Sequence, residues 1–168
     1  KCAEACPAAA LEIIGKEWSA EALVTELLKD RVFYETSGGG ITFSGGEPMT
    51  QTDFLCEVLP LCKDADLHVA LDTCGAVAWG RYARVLDCID LVMFDLKIMD
   101  SARHKSATGV TNDLILDNVP RIARAGKPLW IRTPIIPGYT DDRTNVVAMA
   151  RFIRDELPTV ERWDLLAY

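Results

Sequence analysis

Four short stretches of the 168-residue chain carry side chains able to do chemistry: Ser44-Gly45-Gly46-Glu47-Pro48, Asp72-Thr73-Cys74-Gly75, Asp95-Leu96-Lys97 and Arg132-Thr133-Pro134, the last continuing to Pro137-Gly138-Tyr139. Glycines at 45 and 46 let backbone approach a ligand with no Cβ in the way. No Gly-Lys-Ser/Thr follows and there is no G-x-G-x-x-G, so this is not a phosphate cradle. Backbone groups beside Glu47 suit a cation, and an amino group fits. The same residues also fit a plain glycine turn leading into a helix. Asp72, Asp95 and Lys97 could hold a zwitterion, with Lys97 on a carboxylate and the aspartates on a cation or hydroxyls. They could equally form a structural Asp–Lys pair, since residues 95 and 97 of one strand share a face. The planar fork of Arg132 suits a carboxylate or a peptide backbone, or a structural bond to one of the aspartates.

Each stretch ends a run rich in β-branched or aromatic residues: Ile41–Ser44, Leu67–Leu71, Leu91–Phe94 and Leu129–Thr133, with Trp163–Leu166 as a further strand. Between them the apolar spacing predicts helices: Ser19 capping one to about Lys29, Thr52–Lys63, Trp79–Leu86, Asn112–Ala125 ending at Gly126, and Asp142–Leu157. Pro60 and Pro120 fall inside two of these, so either the helices break there or the bounds shift by a turn. Alternation of strand and helix predicts an α/β fold of parallel strands joined by right-handed crossovers. A doubly wound sheet and a barrel of (β/α) units both fit. In either, the working residues lie at the C-terminal strand ends, and four consecutive ends bring carboxylate, glycine or cation to one rim.

At the other end of the chain, Cys2-Ala3-Glu4-Ala5-Cys6-Pro7 matches the C-x3-C-P tail of a ferredoxin cluster run, in which thiolates ligate iron. Two cysteines cannot hold a four-iron cluster alone. Cys56, Cys62 and Cys88 lie in apolar helical surroundings and read as buried thiols. His68 and His104 have no partner at ligand spacing and read as structural or surface residues.

A hydrophobic share of 49% and a charged share of 26% are those of an ordinary folded domain with its own core. The net charge of −7, without a basic run, excludes the phosphate neutralisation that nucleic-acid binding requires. No apolar run approaches the roughly 20 residues that cross a bilayer, and there is no signal-peptide pattern, so a cytoplasmic setting is expected.

Taken in order, Cys-x3-Cys-Pro, Ile41-Thr42-Phe43-Ser44-Gly45-Gly46-Glu47-Pro48, Leu71-Asp72-Thr73-Cys74-Gly75, Phe94-Asp95-Leu96-Lys97 and Ile131-Arg132-Thr133-Pro134 through Pro137-Gly138-Tyr139-Thr140-Asp141 resemble the glycyl-radical-enzyme activating enzymes, of pyruvate formate-lyase activating type, in the radical S-adenosylmethionine (SAM) superfamily. The resemblance implies an oxidoreductase on a partial (β/α) barrel, incomplete at both ends: residues 1–16 the remnant of a ferredoxin-like insert, residues 17–168 the barrel. It implies SAM bound at the rim and [4Fe-4S] clusters, with Cys2 and Cys6 as partial ligands of an auxiliary one. The Gly45-Gly46-Glu47-Pro48 loop would hold the methionyl amino group. Asp72 and Thr73 would meet the ribose or a monovalent cation shared with Asp95. Lys97 would contact the SAM carboxylate or an incoming peptide, and Arg132 would sit near SAM and the substrate glycine. The implied partners are a glycyl radical enzyme, from which a 5′-deoxyadenosyl radical takes a glycine Cα hydrogen, and a flavodoxin or ferredoxin-type reductant.

The family's C-x3-C-x2-C motif is absent from this sequence, so the chain by itself is expected not to cleave SAM. Cys74 stands where pyruvate formate-lyase activases have asparagine. Rival readings are a ferredoxin-like electron-transfer module, a docking domain without chemistry, and a small-molecule α/β enzyme using Asp72 and Asp95 as acid and base.

Overall fold

Ser19 is the N-cap of helix α1, Ala20–Leu27, accepting from the Ala22 amide at 3.2 Å. A computed structural model describes residues 3–8, 10–11 and 15–167. After α1, a 3₁₀ turn and α2 (Arg31–Ser37) lead to strand β1, Ile41–Phe43. Then follow α3 (Thr52–Asp64), β2 (Val69–Thr73), α4 (Trp79–Ala83), β3 (Leu91–Asp95), α5 (Ser101–Thr108), α6 (Asp113–Arg124), β4 (Leu129–Ile135), α7 (Arg143–Glu156) and β5 (Val160–Ala167). Both interior prolines are carried within unbroken helices, Pro60 in α3 and Pro120 in α6.

The sheet settles which of the two architectures applies. All pairings are parallel and the order is β1-β2-β3-β4-β5. A right-handed crossover that always steps the same way keeps its helices on one side; a doubly wound sheet needs a reversal of order, and there is none. The sheet is therefore the wall of an incomplete barrel.

Burial follows from that winding. Ile41, Val69, Leu71, Val92, Phe94, Leu129 and Ile131 face the helices and form the core with Leu55, Val58, Leu59, Val119, Ile122 and Met149. Thr42, Leu91, Met93 and Trp130 point the other way and stay partly or wholly exposed. On that second face, towards the N-terminal strand ends, lies a hollow of about 480 Å³ lined by Ala70, Leu91, Met93 and Trp130 among others. The ionic side chains of the rim sit on the same face at its C-terminal edge.

Candidate SAM-type site at the strand tips

Asp95 is in register with Arg132 on the neighbouring strand, while Asp72 pairs with Met93, two residues before Asp95 and on the same face. Arg132 lies across β3 and bonds both aspartates. Its Nη2 reaches Asp72 Oδ1 at 2.8 Å and Asp95 Oδ1 at 3.1 Å, and its Nε reaches Asp95 Oδ1 at 3.3 Å. Lys97 Nζ donates to Asp95 Oδ2 at 2.7 Å, and the Ser44 hydroxyl donates to Asp72 Oδ2 at 3.0 Å. One chain of bonds thus joins the tips of β1, β2, β3 and β4. The structural pairing that the sequence left open exists, and it involves both aspartates. Burial opposes the charge on Arg132, but the bonds and charges of Asp95 and Asp72 outweigh it and hold the guanidinium above its ordinary pKa. Side-chain exposures of 17% for Asp72, 21% for Asp95, 25% for Arg132 and 31% for Lys97 leave every member reachable from solvent.

Glu47 belongs to the same rim but turns its carboxylate inward. Its Oε1 accepts from Met49 N at 3.1 Å and from the Thr73 hydroxyl at 2.8 Å, while Oε2 accepts from Cys74 N at 2.8 Å. It ties the loop after β1 to the end of β2 and caps the 3₁₀ turn Pro48–Gln51. Ahead of it, Gly45 and Gly46 hold φ of 88° and 32°, the left-handed region that glycine tolerates, with nothing within 4 Å of where a side chain would stand. The backbone that a ligand would meet there is open.

Thr73 serves the site from behind. It is buried, and its hydroxyl contacts Glu47, Tyr82 and the Gly75 amide. Its hydroxyl is therefore turned away from the open face. Gly75 is fixed by packing, since a Cβ there would stand 2.2 Å from Cζ of Phe94. Cys74 is a partly buried thiol. Burial, and after it Glu47, push its pKa up against the opposing pull of the Ala76 backbone and Lys97, so it is neutral at neutral pH.

Sequence reasoning passed over three residues that hold this rim together. Tyr82 and Arg81 sit on α4, and Asn118 on α6 donates to the carbonyls of Gly75 and Val77 at 2.9 and 2.7 Å. A signal existed for Asn118, an amide on the apolar face formed by Ile115, Val119 and Ile122. Tyr82 is packed as a core aromatic, with no exposed surface.

The iron–sulfur expectation stands differently. Cys2 lies outside the described residues, and Cys6 sits in an irregular turn where its amide donates to the Ala3 carbonyl at 3.3 Å. Cys56 and Cys62 on α3, Cys74 after β2 and Cys88 before β3 are free thiols, with Cys62 alone of the four buried. Among the described residues no group of three or more His, Cys, Asp or Glu side chains converges as a metal site, so the described residues do not fit a four-iron cluster. His104 is buried with Nδ1 2.7 Å from the Val110 carbonyl oxygen, and His68 is exposed, so neither is a ligand here. No helix among the described residues is long and apolar enough to cross a membrane.

Residues 5–150 match the radical SAM superfamily. The trans-4-hydroxy-L-proline dehydratase activating enzyme of Clostridioides difficile is 46% identical over 148 residues, which is 86% of this chain and 49% of that protein. The pyruvate formate-lyase-activating enzyme of Clostridium pasteurianum is 38% identical over 154 residues, 92% of this chain and 64% of its own length. A solved domain of pyruvate-formate lyase-activating enzyme from Bacteroides vulgatus superposes with a TM-score of 0.72 at 37% identity, covering 77% of this chain and 81% of that one. The chain spans about half the length of the first of these relatives. With its one-way parallel sheet and the ionic rim at the strand tips, the chain belongs to the radical SAM superfamily, among the activating enzymes of glycyl radical enzymes.

Proposed function

We infer that the rim binds SAM and that the whole protein activates a glycyl radical enzyme. The observation that carries the reading is the continuous chain Ser44–Asp72–Arg132–Asp95–Lys97, beside a glycine pair whose backbone is open. SAM presents an ammonium, a carboxylate and a sulfonium. The rim offers exposed glycine backbone for the first, two cations for the second and two carboxylates for the third and the ribose. The fit is one of charge and of space.

The Gly45-Gly46-Glu47-Pro48 loop takes the amino group through its backbone, with Glu47 holding the loop in shape. Lys97 can leave Asp95 to meet the SAM carboxylate, because a partly exposed pair of this kind is worth only about 1 kcal/mol. Asp72 and Asp95 meet the ribose or a monovalent cation, for which the Arg132 guanidinium competes at the same oxygens. Bound SAM would supply a 5′-deoxyadenosyl radical, released with methionine when one electron from a reduced iron–sulfur cluster of the whole protein breaks the sulfonium carbon–sulfur bond, and able to take a Cα hydrogen from a glycine. The residues around it orient the ligand and limit water, tasks of alignment rather than bond-breaking. A cleft of about 390 Å³ opens beside Lys97, walled by Ile98, Pro134, Ile136 and Tyr139, and is a fitting place for the partner's glycine-bearing segment. A flavodoxin or ferredoxin-type reductant completes the scheme, in a cytoplasmic setting that keeps thiols reduced.

Titration calorimetry of the chain with SAM tests the reading. Binding should be measurable and should weaken about tenfold in Lys97→Ala, an effect of the size expected for one charge-assisted contact. An absence of SAM binding, or binding indifferent to Lys97, overturns it. After reconstitution with iron, sulfide and reductant, the chain alone should form no 5′-deoxyadenosine above background.

A further inference from the structure

Helix α4 places no side chain in the ionic network of the rim, yet two of its residues are bonded to groups that flank or hold the Gly45–Glu47 loop. Arg81 Nη1 donates to the carbonyls of Met49 at 3.0 Å and Thr50 at 3.1 Å, within the turn that follows the loop. Tyr82 has no exposed surface, and its hydroxyl lies 2.7 Å from Thr73 Oγ1, which lies 2.8 Å from Glu47 Oε1.

The directions of these bonds follow from proton counting. An ionised carboxylate only accepts, so the single Thr73 proton goes to Glu47. Thr73 must then accept from its other partners, the Gly75 amide at 3.2 Å and Tyr82. The hydroxyl protons therefore point one way, from Tyr82 through Thr73 to Glu47, and each bond strengthens the next. Burial, above all, keeps the Tyr82 phenol protonated well beyond its ordinary range, as this direction requires. Phenylalanine would fill the same packing space; the hydroxyl has a task that packing does not explain.

We propose that α4 is the positioning element of the loop that takes the SAM amino group, acting through Tyr82 and Arg81. Tyr82 and Thr73 orient the Glu47 carboxylate, and Glu47 and Arg81 together hold Gly45 and Gly46 in their left-handed pair. Neither Tyr82 nor Arg81 touches the ligand, so both are positioning residues. The proposal rests on reading Gly45–Glu47 as the amino-group loop.

The test compares SAM with 5′-methylthioadenosine, which keeps the adenosine and a sulfur but lacks the amino-acid head. Wild-type chain should bind SAM more tightly than methylthioadenosine. Tyr82→Phe should lose about five- to tenfold in SAM affinity, the loss of roughly one hydrogen bond's worth of positioning, with methylthioadenosine binding and circular dichroism unchanged. Thr73→Val should behave alike and Thr73→Ser should restore SAM affinity. If the wild type discriminates but Tyr82→Phe binds SAM normally, or loses both ligands equally, the role of α4 is overturned while the loop reading stands. If the wild type does not discriminate, the loop reading fails and takes the proposal with it. Should Tyr82→Phe not fold, Arg81→Gln, changed on the exposed side of α4, is read by the same criteria.

Discussion

Asp95 is engaged on both oxygens, Oδ2 by Lys97 and Oδ1 by Arg132, so it is the hinge of the rim's charge balance. Asp95→Asn keeps the shape and removes the charge, leaving Lys97 without its carboxylate and Arg132 with Asp72 alone. Because SAM is a net cation, its affinity should fall about tenfold by calorimetry, while stability falls by only about 1 kcal/mol in a urea melt. A variant with unchanged SAM affinity would show that Asp95 has no part in binding. Gly75 makes a sharper steric case. Its φ of 77°, and the 2.2 Å at which an added Cβ would meet Phe94 Cζ, mean that Gly75→Ala must strain backbone and displace a buried ring. The expected loss is about 2–4 kcal/mol, partly recovered by Phe94→Leu, read from paired urea melts. At this scale Asp72, Asp95, Lys97 and Arg132 were legible because charge at a strand end is conspicuous in an apolar run. Arg81 was not, since its partners Met49 and Thr50 lie far back along the chain, and neither was Tyr82, since a tyrosine among apolar helical residues looks like core. Thr73 was legible as a candidate, but the inward direction of its hydroxyl was not.

Elements were legible where apolar periodicity was strong. The α3, α6 and α7 spans agree with their sequence patterns to within a residue or two, and the two prolines lengthen no gap. Helix α5 escaped notice because His104 is its one buried side chain, leaving no apolar stripe to find. Its remaining signals were Asp100, which accepts from the Arg103 amide, and Gly109 at φ 88°. Strand β2 runs two residues later than the apolar pattern implied, because it ends in the polar Asp72-Thr73 pair that the site needs. On α3, Cys62 is a buried thiol whose pKa rises from an ordinary 9.0 to about 11, through burial first and the neighbouring Cys88 second. The unfolded chain loses that proton near its ordinary value and the folded chain keeps it longer. Stability is therefore full below about pH 9 and falls as pH climbs to about 11. Cys62→Ala should lower stability at neutral pH but shrink the alkaline fall by about 2 kcal/mol, in urea midpoints taken at neutral pH and at both ends of that range. An undiminished fall would remove Cys62 from the account.

For the molecule as a whole, alternating strands and helices announced a parallel sheet, but strand order is a long-range property that no local pattern contains. The observed order supplies it, and the one-sided winding explains why Asp72, Asp95, Arg132 and Lys97 share an open face instead of being roofed by helices. The iron–sulfur chemistry implied by family resemblance is not built from the described residues, and the SAM reading rests on the rim alone. A crystal structure of the chain grown with SAM addresses that reading most directly. The methionyl amino group should lie against the Gly45–Gly46 backbone, with the carboxylate within about 4 Å of Lys97 or Arg132. SAM lodged instead in the hollow beside Trp130 and Leu91, with the rim pairs intact and unvisited, would contradict it.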